Sequence, residues 1–281
     1  MGSRRRRFTS GVPLYAYRAI LGFRHSWLSR EVIAFSLFAA GSAGLTGLMA
    51  LQPALIDALP GPVGSVLGRL FDLMPLMVRN PLIEAIGLAG PGVFGLQMTL
   101  AVALLGLVGV GTSMMVYKVC RRPSWRGWIT STKFFGSTLV LGLASWVASD
   151  AWSDVIAGVD GSSRPPQIGF VWALVLVGVA KLGFEVALLA PLRDRELTPM
   201  RKSALIITGP LKKVLWLRFG LALVGSGAAS VLLVWGALGH SIPALVLALS
   251  WSSVFGIFLG GELLERGLFF AAVVRLKMPG R

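Results

Sequence analysis

The lysine and arginine residues of this chain are concentrated in alternate segments between apolar stretches, and this pattern constrains the fold more than any other feature. From the N-terminus to the C-terminus, the segments that flank and separate the stretches hold 7, 2, 5, 1, 6, 0 and 4 basic residues. Because basic residues favour the cytoplasmic side of short loops, the alternation predicts six membrane spans with both chain termini in the cytoplasm. The six stretches are Val32–Leu51, Phe94–Val116, Phe134–Ala148, Ile168–Leu192, Val214–Leu238 and Ile242–Gly260.

The composition agrees with an all-α integral membrane bundle of six transmembrane helices. Charged residues make up 14% of the chain, whereas soluble proteins have about 25%. A helix needs roughly 20 apolar residues to cross a bilayer. The stretch Phe134–Ala148 is shorter, and we expect it to extend back through Ile129 with Lys133 reaching the interface. The net charge of +15 predicts contact with anionic membrane lipid rather than nucleic acid, because the basic residues are spread over several loops.

The chain is predicted to have two parts. Residues 1–31 form a basic cytoplasmic or interfacial lead-in, and residues 32–281 form the transmembrane domain. Ser29 is expected to cap the first helix, which places Glu31 in its first turn, where the helix dipole favours negative charge. Six prolines lie between residues 52 and 92, and prolines at this density argue against a straight spanning helix.

Ionisable residues inside the spans are candidate functional sites, because a charge in a bilayer is costly. Lys181 and Glu185 lie four residues apart and therefore share a helix face. Two interpretations are open: an internal ion pair that locks helix packing, or part of a proton or ligand pathway, as in a transporter. Glu262 and Arg266 have the same spacing at the end of the last span, where an interfacial salt bridge is expected. Arg218 is expected to snorkel to the membrane surface.

Few side chains are available to hold a redox or hydrolytic centre. The two histidines, His25 and His240, lie at opposite membrane faces in the predicted topology and cannot flank one haem. The single cysteine, Cys120, allows neither an intrachain disulfide nor a cysteine-ligated cluster. No zinc, phosphate-loop, dinucleotide or catalytic-triad motif is found. We therefore expect no haem, no metal site and no catalytic centre within this chain.

Four segments, in order along the chain, are similar to motifs of one family. The most specific is the pattern Ser-x-Leu-Ser-x-Glu in the first of them, and the last reads Gly-Glu-Leu-Leu-Glu-Arg-Gly-Leu-Phe-Phe. Together they resemble the membrane-anchor subunit of dimethyl sulfoxide reductase-type molybdoenzymes, the DmsC family. The segments are Pro13–Ala19 with Arg24–Glu31, Val116–Tyr117 with Pro123–Trp125 and Phe134–Gly136, Trp216–Arg218, and Gly261–Phe270.

The resemblance implies a non-catalytic subunit of a respiratory complex in the bacterial inner membrane. A partner subunit with molybdopterin performs the substrate chemistry, and a four-cluster, ferredoxin-like iron–sulfur subunit carries electrons. The anchor holds both subunits at the membrane and exchanges electrons with menaquinone or ubiquinone. It binds no haem itself. The motif-bearing segments 1–31, 117–133 and 261–281 all lie on the basic face, which favours a cytoplasm-facing enzyme, with sulfite oxidation as one option.

The resemblance also places a quinone site at the head of the first helix. Glu31 matches the family's carboxylate and is the candidate proton acceptor, with helix capping as the alternative. Arg18 and Arg30 orient a quinone oxygen or dock the iron–sulfur subunit, or else contact lipid headgroups. Trp27 and Tyr17 wall the slot, unless they are simply interfacial belt residues.

One motif of the family is changed in this sequence. Family members carry His-Leu-Gly-x-Pro where residues 9–13 here read Thr-Ser-Gly-Val-Pro, and they have two further spans before it. The histidine that the family uses in quinol handling is therefore not matched. This difference keeps a third interpretation open, in which the chain is an assembly scaffold with a lost quinone site.

Overall fold

A computed structural model of the chain describes residues 22–50, 65, 69, 93–120, 122–156, 158, 168–238 and 242–273. These residues form helices joined by turns, and six of the helices are long and apolar enough to cross a membrane. The prediction of an all-α membrane bundle is confirmed, and the chain is a multi-pass membrane protein. The α-helices are α1 (Trp27–Ala50), α2 (Val93–Val119), α3 (Gly127–Ile156), α4 (Ile168–Ala187), α5 (Pro199–Thr208), α6 (Lys212–Ala237) and α7 (Ala244–Ala271).

Two helix boundaries differ from the sequence prediction for identifiable reasons. Helix α3 has 30 residues and begins at Gly127, so it extends beyond Ile129, and Lys133 points to a carboxylate within the protein rather than to the interface. Helix α4 ends at Ala187 and is followed by a 3-10 helix, Ala190–Arg193, because a proline at position 191 cannot continue an α-helix. A second 3-10 helix, Pro123–Trp125, precedes α3.

The chain divides into two compact units, Met1–Val119 and Cys120–Arg281. The predicted boundary between lead-in and transmembrane domain, at residue 31, lies inside α1, since that helix begins at Trp27. The proline-rich segment 52–92 lies outside the described residues, apart from positions 65 and 69.

Helices α1 and α2 of the first unit pack antiparallel along a seam of glycines. A Cβ on Gly109 would come within 2.9 Å of the Phe35 ring, and one on Gly106 within 3.0 Å of the Phe38 ring. Phe35 therefore lies opposite Gly109 and Phe38 opposite Gly106. Because the residue numbers increase along one helix and decrease along the other, the two helices are antiparallel. Small residues let helices approach closely in a membrane, where packing rather than hydrophobicity drives association.

The second unit is a four-helix bundle. Helix α3 packs against α4 and α7, and α6 packs against the same two helices, which closes a ring. Towards the start of α4 and the end of α6 the core is apolar and includes Leu174, Leu233 and Trp251, each at most 5% exposed. At the opposite end the interior is ionic.

The short helix α5 lies at this ionic end of the bundle. It begins at Pro199, and the Thr198 hydroxyl caps it by accepting the Arg201 N–H at 3.2 Å. It contacts both 3-10 helices and the start of α6. Ser203 and Ala204 are its buried residues. Six basic residues lie between positions 193 and 213, so α5 marks a basic end of the bundle.

Candidate functional site

Four ionisable side chains meet inside the C-terminal bundle and form what we call the inner cluster: Lys181 and Glu185 of α4, Arg218 of α6 and Glu262 of α7. Each residue is at most 8% exposed. Arg218 Nη2 donates to Glu185 Oε1 at 2.9 Å and to Glu262 Oε1 at 3.0 Å. Lys181 Nζ donates to Glu262 Oε2 and lies 3.8 Å from Glu185 Oε1. Two cations and two carboxylates therefore neutralise one another.

Helix α3 contributes the Ser137 hydroxyl to the inner cluster and places Gly136 beside it. Ser137 Oγ lies 2.5 Å from Glu262 Oε2, to which it donates, and it accepts a hydrogen bond from Lys181 Nζ at 3.0 Å. Gly136 borders the Lys181 stem, where an added Cβ would lie 3.4 Å from Cδ. Gly261 of α7 does the same for the Arg218 guanidinium, at 3.2 Å. The distance at Gly136 is an ordinary van der Waals contact, whereas that at Gly261 is tighter, so glycine at position 261 leaves room for the Arg218 guanidinium.

Three more ionisable residues, Lys133, Glu265 and Arg266, form what we call the outer cluster. Lys133 Nζ lies 2.5 Å from Glu265 Oε1, and Glu265 is only 1% exposed. Arg266 Nε lies 3.9 Å from Glu265 Oε2. The Arg266 guanidinium also packs 3.6 Å from the Phe134 ring centre, and its Nη2 donates to Ser137 Oγ at 3.3 Å, which links the two clusters.

The charges of the two clusters do not cancel completely. The inner cluster has two cations and two anions, whereas the outer cluster has two cations and one anion, which leaves one excess positive charge when all groups are ionised. Buried charges are tolerated when they are paired and hydrogen-bonded. Lys181 contacts α7 and Glu185 contacts α6, and both interpretations of that pair stay open.

Two expectations about these charges are wrong. Glu262 does not form an interfacial salt bridge with Arg266; it is 4% exposed and bonds to Lys181 and Arg218 of other helices. Arg218 does not snorkel; it is 2% exposed and points into the bundle. Spacing within one helix identifies residues that share a face, but it does not identify which neighbouring helix that face meets.

Three segments that carried the family resemblance contact one another at the ionic end of the bundle. The Trp125 ring stacks on the Phe269 ring with centroids 5.6 Å apart, and its edge meets Phe270 at 6.5 Å. Phe134 meets Phe269 edge-to-face at 6.0 Å. The Trp216–Arg218 segment joins this group through the bonds of Arg218 to Glu262.

The head of α1 holds the residues proposed for quinone binding. Ser26, not Ser29, caps the helix, because its Oγ accepts the Ser29 N–H at 3.4 Å. Glu31 therefore lies beyond the first turn, and the capping alternative for it is wrong. Its Oε1 instead accepts a hydrogen bond from Ser113 of α2, a residue that is 5% exposed.

Arg30 is occupied by local contacts. Its Nε donates to the Phe23 carbonyl and its Nη2 to the Arg24 carbonyl, each at 2.9 Å. The guanidinium also lies 4.4 Å from the Trp27 ring centre. Through these contacts Arg30 stabilises the turn that precedes α1. The other proposed residues, Arg18 and Tyr17, lie outside the described part of the chain.

The function of these clusters can be inferred neither from a metal-binding group nor from a similar protein. Among the described residues, no group of three or more His, Cys, Asp and Glu side chains is placed to hold a metal ion. Comparison with models of known families, with curated proteins and with solved structures finds no match to the chain. Any functional assignment therefore depends on the motifs and on the contacts described above.

Proposed function

We propose that this chain is the membrane-anchor subunit of a molybdopterin oxidoreductase complex. It holds an iron–sulfur subunit and a catalytic subunit at the membrane and exchanges electrons with the quinone pool. The observation that carries this proposal is the meeting of the motif segments around Trp125, Arg218 and Gly261–Phe270 at one end of the bundle. Trp125 and Phe270, from opposite ends of this unit's sequence, contact one another there, and Phe270 is 47% exposed, so the group reaches the protein surface, where a partner could dock.

The quinone would bind at the head of α1. Quinone reduction takes up two electrons and two protons, so the site needs a proton donor and acceptor beside the ring oxygen. Glu31 supplies a carboxylate that Ser113 holds in position. Trp27, fixed under the Arg30 guanidinium, supplies an aromatic wall. Because Arg30 already bonds to two backbone carbonyls, its role is to position Trp27 rather than to bind the quinone oxygen.

The first test is co-purification of the tagged chain in mild detergent. We expect molybdenum or tungsten, iron and two soluble subunits to accompany it. A metal-free homo-oligomer would refute the anchor proposal. In an intact complex, Glu31→Gln should lower quinol-linked turnover at least tenfold, the lower range of a general acid–base contribution being about 10²-fold. Glu196→Gln, an exposed carboxylate, is the matched control.

Unchanged turnover with Glu31→Gln, in a complex of normal subunit content, would contradict the quinone role and leave the scaffold interpretation. That outcome would leave the anchor role intact, since subunit content and turnover are measured separately.

A transporter is the second candidate, because charged residues of four helices converge inside one bundle. It predicts solute or ion flux by the purified chain alone in proteoliposomes, and loss of that flux with Lys181→Met. In the anchor proposal the isolated chain catalyses no such flux, and Lys181→Met lowers stability only.

A further inference from the structure

A cavity of about 80 Å³ lies between α5 and the ionic end of the bundle. Three ionisable side chains line it: Lys133 and Glu265 of the outer cluster and Glu185 of the inner cluster. Ser203 of α5 lies on its wall, together with apolar side chains that include Leu215 and Phe219. Glu262, the remaining carboxylate of the two clusters, is not part of the lining. The cavity therefore touches two of the three carboxylates.

One oxygen of Glu265, a residue that lines the cavity, lacks a donor. Glu265 Oε1 bonds to Lys133, but Oε2 accepts no hydrogen bond from any described residue, and Arg266 Nε is 3.9 Å away from it. Leaving a buried carboxylate oxygen without a donor is unfavourable, because the oxygen loses its hydration and gains no partner. Water is the smallest ligand that could supply the donor, and it needs about 10–15 Å³ of such space and two to four polar partners. The cavity volume of about 80 Å³ is several times the first requirement, and Lys133, Glu185, Ser203 and Glu265 in its lining meet the second.

The opposite half of the bundle is mainly apolar. Below the inner cluster the core includes Leu174, Trp251, Val254 and Phe258, each at most 3% exposed. Two buried polar atoms, Trp251 Nε1 and Ser226 Oγ, also lie in that half. Because the cavity lies at the α5 end, we expect water to enter from that end.

We propose that the cavity is a water-filled vestibule that connects Glu265 and Glu185 to the aqueous phase on one side of the membrane. Protons reach these two carboxylates through cavity water from the basic end of the bundle, whereas Glu262 does not line the cavity and is paired with Lys181 and Arg218. The charged groups that face the vestibule carboxylates are Lys133 of α3, Lys181 of α4, Arg218 of α6, and Glu262 and Arg266 of α7. This inference does not depend on the quinone site at α1.

Reaction of engineered cysteines with silver ion, a probe close to water in size, tests the vestibule in the full-length chain. Cys120→Ser removes the only native thiol. Ser203→Cys then places a thiol on the cavity wall, and Ser226→Cys is the matched control. Both serines are 7% exposed, but Ser226 lies beside Gly178 and Phe258, away from the cavity. Exposed Arg195→Cys and Leu238→Cys report the two membrane faces.

In sealed vesicles, we expect silver ion to block the thiol at position 203 at least tenfold faster than that at 226. The reaction should occur only from the face on which position 195 reacts. Thiols left unblocked are counted with maleimide after denaturation, and tryptophan fluorescence confirms folding of each variant. Equal rates at 203 and 226, or reaction at 203 from the face of position 238, would overturn the proposal. If the thiol at position 203 reacts in detergent but not in membranes, then lipid rather than water fills the cavity, and the proposal is overturned.

Discussion

Replacing Arg218 by Met gives the sharpest test of the inner cluster. The substitution removes both bonds of the guanidinium, at 2.9 Å to Glu185 and 3.0 Å to Glu262, and leaves one lysine against two buried carboxylates. Removing one partner from a buried ion pair costs about 3–5 kcal/mol. Glu185→Gln also leaves buried charge unpaired, since Arg218 and Lys181 then share Glu262 alone, and we expect a loss of the same order, about 3–5 kcal/mol.

The double variant Arg218→Met/Glu185→Gln separates pairing from simple packing loss. It leaves Lys181 and Glu262 as a neutral pair, so its loss of stability should be smaller than the sum of the two single losses. Coupling between contacting residues is typically about 0.5–3 kcal/mol, and we expect the upper half of that range. Unfolding by sodium dodecyl sulfate in mixed micelles, followed by the fluorescence of the nine tryptophans, measures each free energy.

Exposed Arg193→Met is the matched control for the charge change and should lie within about 0.5 kcal/mol of the unsubstituted chain. Two results would refute the reasoning. One is an Arg218→Met variant as stable as the Arg193→Met control. The other is strict additivity in the double variant, because the bonds of Arg218 to the carboxylates would then contribute nothing to stability.

Two further predictions concern packing, each with its own control. Gly109→Ala should destabilise the α1–α2 pair by about 1–3 kcal/mol through overpacking, since its Cβ would lie 2.9 Å from the Phe35 ring; Gly111→Ala, which faces open space, should not destabilise it. Trp251→Ala should cost about 3–5 kcal/mol because the side chain is 1% exposed, whereas Trp216→Ala, at 64% exposure, should cost far less. Thermal unfolding in detergent measures all four, and a control that loses as much as its partner contradicts the corresponding argument.

The six spanning helices were accessible from the sequence because hydropathy acts locally. Each span needs only its own apolar residues, whereas the orientation predicted from loop charge stays a prediction. The start of α3 was less accessible, because Lys133 looks like an interfacial residue until its partner, 132 positions away, is known. The start of α3 could therefore not be predicted from the local sequence alone.

The ion-pair clusters were only partly accessible. The i,i+4 spacing brought Lys181 close to Glu185, at 3.8 Å, but the shorter contact of Lys181 is with Glu262, 81 positions away. Glu262 and Glu265 are three residues apart, so they share one face, and that spacing was a usable signal for an inward-facing acidic pair. The rotation of each helix about its axis decides which charges meet, and that rotation is set by packing among all four helices.

The inner cluster has a consequence for biogenesis. Charged side chains within an inserting helix are costly, and α4 carries one of each sign, Lys181 and Glu185, in its last seven residues. Their mutual contact at 3.8 Å is the only one of these ion pairs that α4 can make by itself. The stronger partners, Arg218 and Glu262, are synthesised later. The two charges of α4 therefore gain their remaining partners only when α6 and α7 arrive, and we expect tertiary assembly to stabilise α4 in the membrane.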